Sequence, residues 1–69
     1  MQEYQKRVVD ERDELELKAG KLMGFMATGA FKTLDVDEQV RMKLQLKFMT
    51  AYWEVLNERI RAFKKDGVK

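Results

Sequence analysis

The sequence predicts an all-α fold: an antiparallel two-helix hairpin that assembles into a helical-bundle homo-oligomer. Three observations carry this. The 69 residues contain no proline and are dominated by Leu, Met, Glu, Lys, Arg and Gln, which are strong helix formers. There is no alternating strand pattern, and Val8 with Val9 is the one short β-branched run. A single break, GAFKTL, divides two long periodic segments.

Each element has its own signal. The first helix is expected from about residue 2 to 28. Tyr4, Val8, Leu15, Leu22 and Phe25 form a heptad-like series, with Glu11 and Lys18 filling its gaps. Gly29 stands where a C-terminal glycine stop belongs. Residues 29–34 then form a short connection, with Phe31 and Leu34 plugging the open end of the hairpin. Asp35 is the expected N-cap of the second helix, and Glu38 completes a capping box. Asp37 and Glu38 also set negative charge against the positive end of that helix. It is expected from 35 to 63. The hairpin domain spans 1–64, and 65–69 reads as a frayed tail.

The breadth of the second apolar arc predicts self-association. Placed on a wheel at about 100° per residue, the apolar residues from Val40 to Phe63 cover well over half the circumference. A helix facing one partner needs a stripe little more than ~100° wide. A second copy of the chain is the simplest cover for the surplus, giving a dimer or higher closed oligomer. A core this small also needs a staple. The chain has no cysteine for disulfides.

Composition excludes several function classes. Without His or Cys there is no Ser-His or Cys-His nucleophile pair and no ordinary zinc site. Glu11, Glu14 and Glu16 read as helix-surface glutamates; paired carboxylate chemistry needs a deep pocket that two helices do not make. The chain is read as non-catalytic and without a cofactor. No run is apolar enough to cross a bilayer, and the first residues have no signal-peptide core, so the expectation is cytosolic. Net charge is +2, with signs interspersed. That suits an anionic ligand and does not call for nucleic acid.

The informative residues are polar ones beside the apolar arcs. Gln45, Tyr52 and Arg59 recur every seven residues on the second helix, and Arg41 shares the angular position of Arg59. Arg7, Glu11 and Lys18 line one edge of the first helix's apolar face. An antiparallel hairpin brings Tyr4 and Arg7 near Leu56 and Arg59, Glu11 near Tyr52, and Lys18 near Gln45. Two readings stand together. These groups set helix register through ion pairs. Alternatively, they converge in a cleft between protomers, where arginine grips phosphate and tyrosine stacks or hydrogen-bonds. Gly20 and Gly24 in the first helix read as weak spots or as a close approach, and the methionines as core filler. Trp53, at the border of the arc, is a candidate interface anchor.

The ordered segments YQKRVVDERDELELKAGKL, FMATGAFKTLDVDEQ and MTAYWEVLNERI resemble a family of small phage and prophage proteins. Its pattern is Y-Q-x-R-V-x-D-E, L-x-x-K-x-x-K-L, F-x-x-L, E-Q, M-x-x-Y and L-x-x-R-I, and the match runs from Tyr4 to Phe63. That family is grouped with helical-hairpin sponges directed against bacterial immunity of the CBASS and Thoeris kinds. The resemblance implies capture, without cleavage, of a cyclic oligonucleotide or cyclic ADP-ribose isomer between protomers, in the cytoplasm of the infected host. It points to Tyr4, Arg7, Glu11, Lys18, Lys21, Gln45, Tyr52 and Arg59 as the matching polar positions. Two departures stand out: Trp53 replaces a serine after the tyrosine, and glycines loosen KAGKLMG. LDVDEQ followed by a helix ending in RAF is also similar to the plasmid Rop hairpin, which implies an RNA-binding or protein-interaction adaptor. Against an RNA face, Lys43, Lys47 and Arg61 alternate with Glu54.

Overall fold

In the computed structural model, residues 2–67 are described, with side chains described through Phe63. The order is α1 (Glu3–Met26), a single-turn α2 (Gly29–Lys32) and α3 (Val36–Gly67). The described residues are all helical or turn, and α1 packs against α3 as a hairpin. Its extents are 54 × 15 × 14 Å. A radius of gyration of 15.7 Å exceeds the ~11 Å of a compact chain this long.

The turn region differs from a plain loop. α1 stops at Met26, and Thr28 swings to an extended conformation (φ −92°, ψ 162°). The Thr28 hydroxyl donates to the Phe25 carbonyl at 2.6 Å, adding to the backbone bond that the Thr28 N–H makes to the same oxygen at 3.0 Å. Gly29 is therefore not a left-handed stop; no glycine among the described residues has positive φ, and Gly29 opens α2 instead. α2 carries Phe31 into the core, edge-on to Phe25 with ring centroids 6.2 Å apart. Leu34 is half-buried beside it. The Gln39 side-chain amide then ties the turn to α3, donating to the carbonyls of Lys32 (3.3 Å) and Leu34 (2.9 Å).

α3 begins with half of the expected capping box. The Asp35 carboxylate accepts from the Asp37 N–H at 3.1 Å. Glu38 does not reach back; its carboxylate accepts from Arg41 Nε at 2.7 Å. At its far end α3 continues through residues 65–67, where the sequence suggests a tail, and 68–69 lie outside the described residues.

The hairpin seam follows a 3-4 spacing on both helices. On α1 the least exposed positions are Gln5, Val8, Arg12, Leu15, Ala19, Leu22 and Met26, with Val9 beside Val8. On α3 they are Gln39, Met42, Leu46, Met49, Trp53, Leu56, Ile60 and Phe63, with Glu38 and Asn57 beside that series. This phase is rotated from the one expected for α1: Arg12 and Ala19 enter the seam, while Glu11 and Lys18 move to its rim. Arginine at a core position is tolerable because its methylene stem packs as an apolar group. Among the described residues only Val8, Phe31 and Leu56 are buried, and Leu56 alone is fully so.

Gly20 and Gly24 face open space, with nothing near an added Cβ. They loosen the helix without admitting a neighbour in the hairpin. The double change Gly20→Ala/Gly24→Ala is expected to raise stability by about 1–2 kcal/mol in total, read as a higher chemical-denaturation midpoint. A lower midpoint would mean that another surface approaches these backbones.

Candidate functional site

Four cross-helix contacts fix the register and give the hairpin two different walls. On one wall Arg12 Nη1 donates to Asn57 Oδ1 at 2.8 Å, and the Trp53 indole donates to Glu16 Oε1 at 3.0 Å. On the other, the Tyr52 hydroxyl donates to Glu11 Oε2. At the open end, Tyr4 meets Phe63 edge-on, with ring centroids 5.6 Å apart.

The first wall is structural and was largely illegible in the sequence. Trp53 is half-buried in its own hairpin, so it is not a free interface anchor. Arg12 also bonds Asp13 at 2.9 Å, which spends its charge locally. Glu16 and Glu11 are more than surface glutamates, because each accepts a hydrogen bond from an aromatic residue of α3. The departure at Trp53 therefore alters helix pairing and not the opposite wall. The signal that could have found this pair is the place of Arg12 in the 3-4 series of α1, where it interrupts an apolar run, and of Asn57 beside Leu56.

The second wall carries the predicted polar set. Glu11 and Tyr52 are joined directly. The register brings Arg7 level with Arg59, and Lys18 level with the stretch between Gln45 and Tyr52. Arg7 bonds Glu3 at 3.3 Å, but both side chains are largely exposed, so that pair costs little to break. Gln45 makes only a weak contact to the Met49 sulfur at 3.9 Å. Among the described residues, Arg59 and Lys18 make no ion pair. Tyr4 is brought to the end of the hairpin against Phe63 and stands apart from the Glu11–Tyr52 contact.

The chemistry this wall offers follows from its side chains. Tyr52 is 43% exposed, so its ring presents a face for stacking while Glu11 holds its hydroxyl. Planar guanidinium, as on Arg7 and Arg59, suits phosphate. No cluster of three or more metal-ligating side chains exists among the described residues. No described helix is long and apolar enough to cross a membrane.

Comparison with known proteins agrees with a phage origin for such a hairpin. The chain is 39% identical over 61 residues to an uncharacterized 7.5 kDa protein encoded in the denB-rIIB intergenic region of Enterobacteria phage T4. The alignment covers 88% of this chain and 95% of the relative. No solved structure matches. The family model described as Sequestin matches residues 2–62, and the name suggests sequestration of a molecule. A small phage hairpin with an unspent polar wall, matched over nearly its whole length, thus belongs to the Sequestin family.

Proposed function

We propose that this protein sequesters, without cleaving, a nucleotide-derived bacterial immune signal such as a cyclic oligonucleotide or a cyclic ADP-ribose isomer. The signal sits in clefts between protomers of a homo-oligomer in the cytoplasm of the infected host. Arg59, Arg7 and Lys18 hold phosphate, Tyr52 stacks or hydrogen-bonds, and Gln45 and Glu11 meet polar edges of the base or ribose. Tyr4 closes the end of the wall.

The observation that carries this reading is the single wall on which Arg7, Lys18, Gln45, Tyr52 and Arg59 fall, with Arg59 and Lys18 unpaired among the described residues. Such a binder needs no chemistry: charge-assisted hydrogen bonds and stacking hold the signal away from its effector.

Isothermal titration calorimetry against cyclic dinucleotides, cyclic trinucleotides and cyclic ADP-ribose isomers tests it. The expected result is saturable binding of at least one compound at micromolar concentration or tighter, with the compound recovered intact by mass spectrometry. Absence of binding across the panel overturns the reading, and recovery of a cleaved product overturns the non-catalytic part.

A further inference from the structure

α3 keeps a second apolar stripe after the hairpin has formed. Val40, Leu44, Phe48 and Val55 remain 47–66% exposed, and Ala51 lies exposed among them. They follow i, i+4, i+8, i+11, i+15 spacing and centre roughly 150° round the helix from the seam. α1 has no counterpart: its exposed Tyr4, Leu17, Met23 and Phe25 scatter round the helix between charged residues. The whole chain exposes 5566 Å², about 1,000 Å² more than a compact monomer of its mass. One partner's share of a standard protein interface is about 800 Å².

The stripe is also nearly palindromic. Reversed about a point between Lys47 and Phe48, it places Val40 opposite Val55 and Leu44 opposite Ala51, with Phe48 one residue from its own copy. That is the property an isologous two-fold contact requires. Large meets small at Leu44 and Ala51, as close helix packing favours. The same alignment brings Asp37 level with the partner's Glu58 and within one residue of the partner's Arg59, and brings Lys43 within two residues of the partner's Glu54. Lys47, near the axis, keeps its head in water along an apolar stem.

We infer that α3 pairs antiparallel with α3 of a second copy across a two-fold axis beside Phe48, and that the partner's Arg41 completes each binding cleft. The pairing turns an open wall into a groove. Its floor is Gln45, Tyr52 and Arg59; one side is α1, and the other is the partner's α3. The partner's Arg41 comes within about one helical turn of the level of Tyr52. Arg41 already points outward, 65% exposed and steadied by Glu38. The pairing stands on the stripe alone, whereas the role of Arg41 rests on the nucleotide reading above.

The chain has no cysteine, so single cysteines report the pairing without background. Phe48→Cys should cross-link to a covalent dimer on oxidation. Val40→Cys alone should not, because antiparallel copies of that position lie about 23 Å apart along the axis, beyond the ~7 Å Cα reach of a disulfide. The pair Val40→Cys/Val55→Cys should cross-link. Circular dichroism confirms helicity for each variant. Cross-linking of Val40→Cys alone, or of none of the three helical variants, overturns the pairing.

A complementation experiment tests the cleft, with a cyclic dinucleotide and a cyclic ADP-ribose isomer as probes. Arg41→Ala and Tyr52→Ala should each lose at least tenfold in affinity. Co-expressed, they should recover about a quarter of wild-type sites, since random pairing makes half the dimers mixed and each mixed dimer has one intact cleft. Wild-type binding without such recovery overturns the role of Arg41. If the wild type binds neither probe, the Arg41 assignment falls with the nucleotide reading, and cross-linking alone still decides the pairing.

Discussion

Replacing Leu56 with alanine is expected to unfold the isolated chain. Leu56 is the one fully buried side chain among the described residues, in the α3 seam with Trp53 and Ile60. Truncating a buried leucine costs about 2–5 kcal/mol, the spread depending on how far neighbours collapse. Below about 80 residues a single core supplies only about 3–5 kcal/mol in all. The loss is therefore as large as the stability itself. Circular dichroism should show helicity falling, and the melting transition becoming broad and concentration-dependent. Leu56→Met, which keeps most of the volume, should keep the fold. A Leu56→Ala chain that melts within a few degrees of the wild type would show that the hairpin seam is not the main core.

The second large effect is on binding. Arg59→Ala should reduce affinity for the sequestered nucleotide by roughly 10–100-fold, as expected when a charge-assisted hydrogen bond of ~1.5–3 kcal/mol is removed. Arg59 is exposed and makes no ion pair among the described residues, so the hairpin should not suffer. A rim pair with the partner's Asp37 contributes at most about 1 kcal/mol to assembly. Helicity and oligomer mass should accordingly be unchanged. Arg59→Lys should recover only part of the affinity, because a point charge does not reproduce the planar fork. Loss of the oligomer in Arg59→Ala would return this arginine to a structural role. Full affinity in that variant would remove it from the site.

Much of the hairpin was legible because its signals are local. Asp35 caps α3 through one short contact two residues away, and that contact depends on nothing distant. Phe31 is the lone large apolar side chain between two turns, so the core is the natural place for it. The Glu11–Tyr52 pairing was also readable, since antiparallel register follows from where the chain turns. The capping box failed at Glu38 because Arg41, three residues on, competes for the same carboxylate. Gly29 misled for a related reason: Thr28 ends α1 with its own hydroxyl, leaving no need for a left-handed glycine.

By itself the sequence determined that this chain is helical, that it turns once near Phe31, and that α3 carries more apolar surface than one neighbour covers. Those properties depend on propensity, spacing and width of arc, all counted along one strand of text. Which part of the arc faces α1 was a different kind of question. Two apolar stripes on α3 compete for the seam, and their phases differ by a fraction of a turn that a wheel cannot rank. The tertiary structure decided it by packing. Leu56, Trp53 and Met49 meet the complementary series on α1, Arg12 lays its stem into that seam to reach Asn57, and the Phe48 stripe is left outside. That choice moved Trp53 from interface to core, and it put Tyr52 and Arg59 on the rim between the hairpin and whatever covers Phe48.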